Sequence, residues 1–400
     1  MSTFFHRPCD TAPLPGELDV FHPAAAEQVR RYHRGMAGYT ETPLRDLHSL
    51  AGDLGLRRFQ VKDESLRFGL NAFKVLGGSY AMGRILAERM GLAPEEMTFE
   101  QVTEQLKTGS GSYTFITATD GNHGRGVAYT AAQLHQRCIV LLPAHTAEER
   151  VRNIAALGAE AVVTDLLYDD AVRLAAKMAR EKGYILVQDT AWPGYEQIPL
   201  WIMQGYMTMA DECLQRMQTP PTHLFLQAGV GSMAAAVAAC LSAAYPQSPM
   251  KVIIVEPDQA DCLARTARTP DGQLCRVPGD MNSMMAGLCC GEACTLAWEI
   301  LRRKAAYYVT IPDAVAALGM RVLGNPLSDD PRIISGESGA STTGFVVELM
   351  RSPELADVRA ELEIGRDSSV LCISTEGDTD RENYRAVVWN GRCPYPEKKD

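Results

Sequence analysis

The chain is short of lysine. In 400 residues lysine stands only at positions 62, 74, 107, 177, 182, 251, 304, 398 and 399, and arginine carries most of the positive charge. Long apolar runs are missing too. The longest apolar helical stretch, Met233 to Tyr245, is alanine-rich and too short to span a bilayer. Met1 to Phe21 has no apolar core of signal-peptide length and carries proline and acidic residues, so no secretion signal is expected. There is no excess of positive charge. The net charge of −10 argues against nucleic acid or an anionic membrane as the main partner, and leaves small anionic ligands open. No histidine accompanies the one cysteine cluster, Cys289, Cys290 and Cys294, and its spacing is not a zinc pattern, so no metal is expected. Most of the eleven cysteines, such as Cys138, Cys240 and Cys372, lie in apolar stretches as small hydrophobes. That usage suits a reducing, cytoplasmic setting. Cys262 and Cys275 bracket a polar segment and are candidates for a redox-sensitive pair.

What is present reads as an ordinary globular protein with 46% apolar and 22% charged residues. The length allows a large core in two lobes. Short β-rich runs alternate with longer helical ones. Strands are expected at 58–62, 113–118, 138–143, 161–164, 184–188, 223–227, 251–256, 307–311 and 369–374. Helices are expected at 147–157 and 169–182, each stopped by a glycine, and from Pro312-Asp313 to Leu323. This alternation predicts an α/β fold with largely parallel sheets. Residues 96–111 read as a polar surface excursion, Thr219-Pro220-Pro221-Thr222 as the crossing between lobes, and 266–280 as a mobile flap.

Three segments carry chemistry. Lys74 stands in Asn71-Ala72-Phe73-Lys74-Val75-Leu76, just inside an apolar helical run. A partly desolvated lysine is uncharged part of the time and nucleophilic. Gln227-Ala228-Gly229-Val230-Gly231-Ser232-Met233-Ala234 lies between a strand and an alanine-rich helix. Its glycines and the helix amino terminus suit a phosphate, held by Gly229, Val230, Gly231, Ser232 and Met233. The same residues fit a dinucleotide fingerprint with Glu256 as the ribose-binding acid, or a plain tight turn. Thr117-Ala118-Thr119-Asp120-Gly121-Asn122-His123-Gly124 follows a strand and opens a helix. Thr119 and the loop amides suit a carboxylate, and Asn122 suits a ring oxygen. A turn capped by Asn122 is the alternative. His123 supports the loop or the phosphate, and a structural role is the commoner fate of a lone histidine.

In this order and at these separations, the segments resemble the tryptophan-synthase-β type (fold type II) of pyridoxal-phosphate enzymes. Serine and threonine dehydratases of that class start the second loop with Ser. Here Asp120 stands in its place, and Cys372-Ile373-Ser374-Thr375-Glu376-Gly377-Asp378 departs from their Ser-Gly-Gly-Asn. Both departures are similar to the diaminopropionate ammonia-lyases, as are Asn71-Ala72-Phe73-Lys74, Gln188-Asp189-Thr190-Ala191-Trp192 and Ser335-Gly336-Glu337-Ser338-Gly339-Ala340. The resemblance covers residues 40–393.

It implies two lobes with the active site between them, a large cofactor-binding domain of residues 1–88 and 220–400, and a small domain of 89–219. It implies pyridoxal 5'-phosphate on Lys74, elimination of ammonia from 2,3-diaminopropionate, pyruvate as product, and a homodimer. Either Ser374 or Thr375 would meet the pyridine nitrogen; Asp378 is solvated or structural. Asp120 is then a base on the face opposite Lys74, serving the D isomer, or a contact for the substrate's β-ammonium group. Asp189 is a second candidate for that contact, or a turn cap. A serine/threonine dehydratase on the same scaffold and a nicotinamide-dependent oxidoreductase remain the alternatives.

Overall fold

The computed structural model describes residues 2–109, 111–119, 121–144 and 146–396, with Asp169 described by its backbone alone. Eleven strands occur among them: β1 Thr3–His6, β2 Leu44–Asp46, β3 Arg58–Asp63, β4 Thr114–Ala118, β5 Arg137–Leu142, β6 Glu160–Val163, β7 Ile185–Leu186, β8 His223–Gln227, β9 Lys251–Pro257, β10 Tyr307–Ile311 and β11 Ser369–Ser374. They form two sheets. The larger runs β1-β10-β9-β8-β11-β3-β2 and the smaller β6-β5-β4-β7. All pairings are parallel except those of the edge strands β1 and β2, which are antiparallel to β10 and β3. The central strands β8, β10 and β11 are buried at every position, as parallel strands covered on both faces must be.

The chain divides into two compact units. The first comprises Met1–Pro23, Glu41–Ala72 and Met209–Asp400, and holds the larger sheet. Its core joins Phe225, Ile253, Val255 and Val309 of the strands to Phe345 and Val346 of the helix Glu337–Arg351. The second comprises Ala24–Thr40 and Phe73–Thr208, and holds the smaller sheet over Ala171 and Ala175 of the helix Tyr168–Lys182. The division does not fall at residues 88 and 219. The helix Val75–Arg89 belongs to the second unit because it packs closely on the helix Asn122–Gln133. There a Cβ on Gly126 would come within 2.7 Å of the Val75 Cα. Thr219–Thr222 lies inside the first unit, and the chain passes between units within the helix Gln197–Arg216.

Residues 209–216 stay with the first unit for an electrostatic reason. Glu212 accepts hydrogen bonds from Arg67 at 2.7 and 2.8 Å and from Lys62. Arg67 also binds Glu64 at 2.8 and 2.9 Å and the Thr42 hydroxyl at 2.9 Å. All five residues are buried. Two cations and two anions so enclosed must satisfy one another, because neither sign can be left unpaired in the interior.

Residues 96–111 are not simply an excursion. They contain the helix Phe99–Thr108, opened by a capping box of Thr98 and Gln101. Phe99 and Val102 are its buried anchors. The segment expected as a flap, 266–280, starts in the last turn of the helix Cys262–Arg268 and is tied down: Arg7 donates to the carbonyls of Ala267 and Thr269 at 3.1 and 2.8 Å, and the Trp298 indole donates to Gly272 at 2.8 Å. All eleven cysteines are free thiols, Cys262 and Cys275 included. No described helix is long and apolar enough to cross a membrane, and the described residues contain no cluster fit for a metal ion.

Candidate active site

In the second unit, three elements bring three side chains together. Lys74 caps the helix Val75–Arg89, Asp189 follows β7, and His123 lies in the first turn of Asn122–Gln133. Lys74 Nζ donates to Asp189 Oδ2 at 2.8 Å, and His123 Nδ1 lies 3.9 Å from the same oxygen. The Lys74 side chain retains 23% of its exposure and that of Asp189 11%. Burial alone would raise the Asp189 pKa. The charge of Lys74 leads the interactions, the hydrogen bond from Lys74 among them, that more than reverse that and hold the carboxyl well below its usual range. Asp189 is therefore an anion paired to Lys74 rather than a turn cap.

Thr119 ends the run after β4, with its hydroxyl accepting from the Gly121 amide at 3.0 Å. Asn122 opens the following helix and is half-buried. Asp120, expected as a base or a charge contact, lies outside the described residues.

In the first unit, Gly229, Val230, Gly231, Ser232 and Met233 link β8 to the helix Ser232–Ala244. Gly231 has a φ of +94°, which side chains rarely adopt. A Cβ on Gly229 would lie 2.8 Å from Cys290 Sγ and 3.2 Å from Leu288 Cα. That neighbouring loop is fastened by the Cys294 amide, which donates to Val230 O at 2.9 Å. Next to β8 runs β11, and its end is hydrogen-bonded on both sides. The Ser374 hydroxyl donates to Ser335 Oγ at 2.7 Å, and Thr375 Oγ1 accepts from Gln227 Nε2 at 3.0 Å. Gln227 Oε1 is buried without a protein partner. Both Ser374 and Thr375 are buried. The neighbouring strand ends thus present an amide-lined glycine turn and two fixed hydroxyls, where parallel sheets hold ligands.

Glu256 does not serve as a ribose-binding acid. Its carboxyl is buried and accepts from the amides of Leu263 and Ala264 at 2.8 and 2.7 Å. Burial pushes its pKa up to about 8 despite those bonds. It holds the start of the helix Cys262–Arg268, which removes the acid a dinucleotide site needs. Asp378 accepts from Asn71 Nδ2 at 3.0 Å and is structural.

A sequence model of the pyridoxal-phosphate dependent enzymes matches residues 36–360. The chain belongs to that family. It is 49% identical over 387 residues to the diaminopropionate ammonia-lyase of Escherichia coli (strain K12), spanning 96% of this chain and 94% of that one. The crystal structure of holo diaminopropionate ammonia lyase from Escherichia coli matches it with a TM-score of 0.91 at 46% identity, covering 99% of each chain. The structure of that enzyme in complex with an aminoacrylate-PLP azomethine reaction intermediate matches with a TM-score of 0.89 at 46% identity, covering 98% of each. The fold is the tryptophan-synthase-β-like, fold type II architecture, and the cofactor is pyridoxal phosphate.

The residues fit that cofactor. The Gly229–Ser232 turn packs its backbone too closely on the Leu288–Cys290 loop for a side chain at Gly229, and the opening turn of a helix supplies amides without intrahelical acceptors. Lys74 pairs with a carboxylate and keeps partial access to solvent. Lys62, the other lysine of these regions, is locked in the Glu212 cluster.

Sequence reasoning missed Gln188 and Gln227, both buried and both hydrogen-bonded beside expected site residues. The signal for Gln188 was its place beside Asp189 at the head of the Gln188-Asp189-Thr190-Ala191-Trp192 motif.

Proposed function

We propose that this enzyme eliminates ammonia from 2,3-diaminopropionate, of both D and L form, and that water then converts the released product to pyruvate and a second ammonia. The reading is carried by the likeness to a diaminopropionate ammonia-lyase along nearly the whole of both chains. When bound, pyridoxal phosphate supplies an electron sink for the charge that develops at the substrate Cα.

The chain's own residues do the rest. Lys74 carries the cofactor and, once released by substrate, acts at Cα as the base for the L isomer. Asp189, within hydrogen-bond reach of Lys74 Nζ, orients that nitrogen, and is the second anion able to attract the β-ammonium group. Asp120 is the base for the D isomer, from the opposite face. Thr119 and Asn122 contact the substrate carboxylate and the ring oxygen. The amides of Gly229 to Met233 hold the phosphate, and Ser374 or Thr375 offers a neutral hydroxyl to the pyridine nitrogen. A neutral partner there favours a brief carbanion and so elimination. The β-amine leaves only when protonated, so a carboxyl or ammonium at this site must keep or return that proton.

A homodimer follows from the family resemblance, and the cytoplasm from the eleven free thiols. The deciding experiment is a side-by-side assay of ammonia and pyruvate release from D- and L-diaminopropionate and from D- and L-serine. Faster release from diaminopropionate is expected. Preference for serine would make the enzyme a hydroxyl-eliminating dehydratase.

A further inference from the structure

Strand β7 stops early, and where it stops the ladder is rewired. Its parallel pairing aligns Phe115 with Ile185 and Ile116 with Leu186. The Val187 amide continues it by donating to Ile116 O at 2.9 Å. The next rung of a parallel ladder would run from the Ala118 amide to Val187 O. It is replaced. Ala118 donates to the side-chain Oε1 of Gln188 at 3.1 Å, and Val187 O accepts from His123 Nε2 at 2.8 Å. A carbonyl oxygen can only accept, so His123 carries its proton on Nε2. Nδ1 is then the nitrogen turned toward Asp189, at 3.9 Å.

Gln188 is held for this task on every side. Its Oε1 also accepts from the Thr117 hydroxyl at 3.1 Å. Its Nε2 donates to the Tyr168 hydroxyl at 3.0 Å, and its backbone amide donates to the Tyr195 hydroxyl at 2.8 Å. The residue is completely buried.

We propose that Gln188 is a positioning residue: its side-chain amide substitutes for the Val187 carbonyl in the sheet, and so releases that carbonyl to fix the tautomer and ring of His123 beneath the Asp189–Lys74 pair. Without a surrogate acceptor, the buried Ala118 amide would be left unpaired, which interiors avoid. It would draw Val187 O back into the ladder. His123 would lose its acceptor, and the backbone turn that aims Asp189 at Lys74 would straighten. The inference rests on the reading that Lys74 and Asp189 belong to the active site.

The test is imidazole 15N–1H spectroscopy of the cofactor-free and the loaded protein, with the His123 signal assigned by its loss in His123→Asn. The wild-type protein should show His123 as the Nε2–H tautomer alone. Gln188→Glu keeps an acceptor at the same reach and should leave that signal in place. Gln188→Leu should give a mixed or Nδ1–H signal, with turnover reduced by about tenfold, the worth of a single buried hydrogen bond. If the leucine variant does not fold, Gln188→Asn, one methylene too short, carries the same expectations. A leucine or asparagine variant that keeps the wild-type tautomer overturns the proposal, as does a glutamate variant that loses it. A tautomer that shifts as expected in a protein inactive on diaminopropionate would sink the proposed function and leave this inference standing.

Discussion

Replacing Gly231 by Asp and by Asn separates the two things this glycine does. Its φ of +94° is disfavoured for any side chain, and a Cβ there would lie 3.1 to 3.3 Å from methyls of Leu263, Leu301 and Ala297. Asp and Asn share size, shape and the same limited tolerance of left-handed backbone. Their strain and crowding are therefore common to both, on the order of 1–3 kcal/mol. Only Asp adds charge. Two like unit charges ~4 Å apart at an effective dielectric of about 20 repel by about 4 kcal/mol. With each 1.4 kcal/mol equal to a factor of ten, Gly231→Asp should bind pyridoxal phosphate about a thousandfold more weakly than Gly231→Asn. The assay is titration of cofactor into cofactor-free protein, followed by tryptophan fluorescence, with circular dichroism confirming that both variants fold. Equal affinity of the two variants would mean that a charge at residue 231 does not reach the phosphate and would refute the reasoning.

Lys74→Ala should abolish turnover and the yellow absorbance of bound cofactor. Borohydride reduction of the wild-type protein followed by peptide mapping should label Lys74, and a label on another lysine would remove it from its role. Glu212→Gln leaves Arg67 and Lys62 without their shared anion and should destabilise the fold by about 3–5 kcal/mol at neutral pH, read by urea unfolding. Burial raises the Glu212 pKa, but Arg67 and Lys62 overcome it and hold the group below its ordinary value. Its contribution is thus complete above the unfolded pKa of about 4.3 and is lost as pH falls through the lower folded value, so the variant's stability should depend less on pH in that acid range. An acid limb identical to wild type would show that the cluster does not stabilise through charge. Asp120→Asn keeps size and hydrogen bonding but removes basicity, and activity on the D isomer should fall by ~10²–10⁴-fold, with a smaller loss on the L isomer. Equal losses on both would favour a charge contact with the substrate over a second base.

Much of the fold was legible because it is written locally. Nine strand segments were readable from β-rich composition alternating with helical runs, and the edge strands β1 and β2 were not. Those two are three or four residues long and half-exposed, too short to show a period of their own. They exist because β10 and β3 offer open edges. The helix Phe99–Thr108 was hidden for a similar reason: its two buried anchors are too few to set a period among polar neighbours. Helix Val75–Arg89 was placed in the large domain by the family resemblance. Glycine contacts as close as that of Gly126 with Val75 decide its placement instead, and they join segments about fifty residues apart.

The site was legible as residues and not as relations. Lys74 and Asp189 each drew notice alone, from an apolar helical setting and from a strand end, and nothing local tells that they pair across 115 positions. Glu256 shows the reverse error. A glutamate at the end of the strand after a Gly-x-Gly turn has the right address for a ribose, yet burial and two amide donors from Leu263 and Ala264 commit it to a helix start. Local pattern gives the address of a side chain, while its partners give the role. Gln188 carries this furthest. Nothing in its residue type marks it for chemistry, and it reaches His123 only through an amide at Ala118 and a carbonyl at Val187. A strand expected to run to residue 188 stops at Leu186 because the site takes over its last rung. The shortfall in the secondary structure and the geometry around Asp189 are therefore one event: the sheet gives up a backbone bond, a side chain replaces it, and the carbonyl so released holds the histidine beside the lysine's partner.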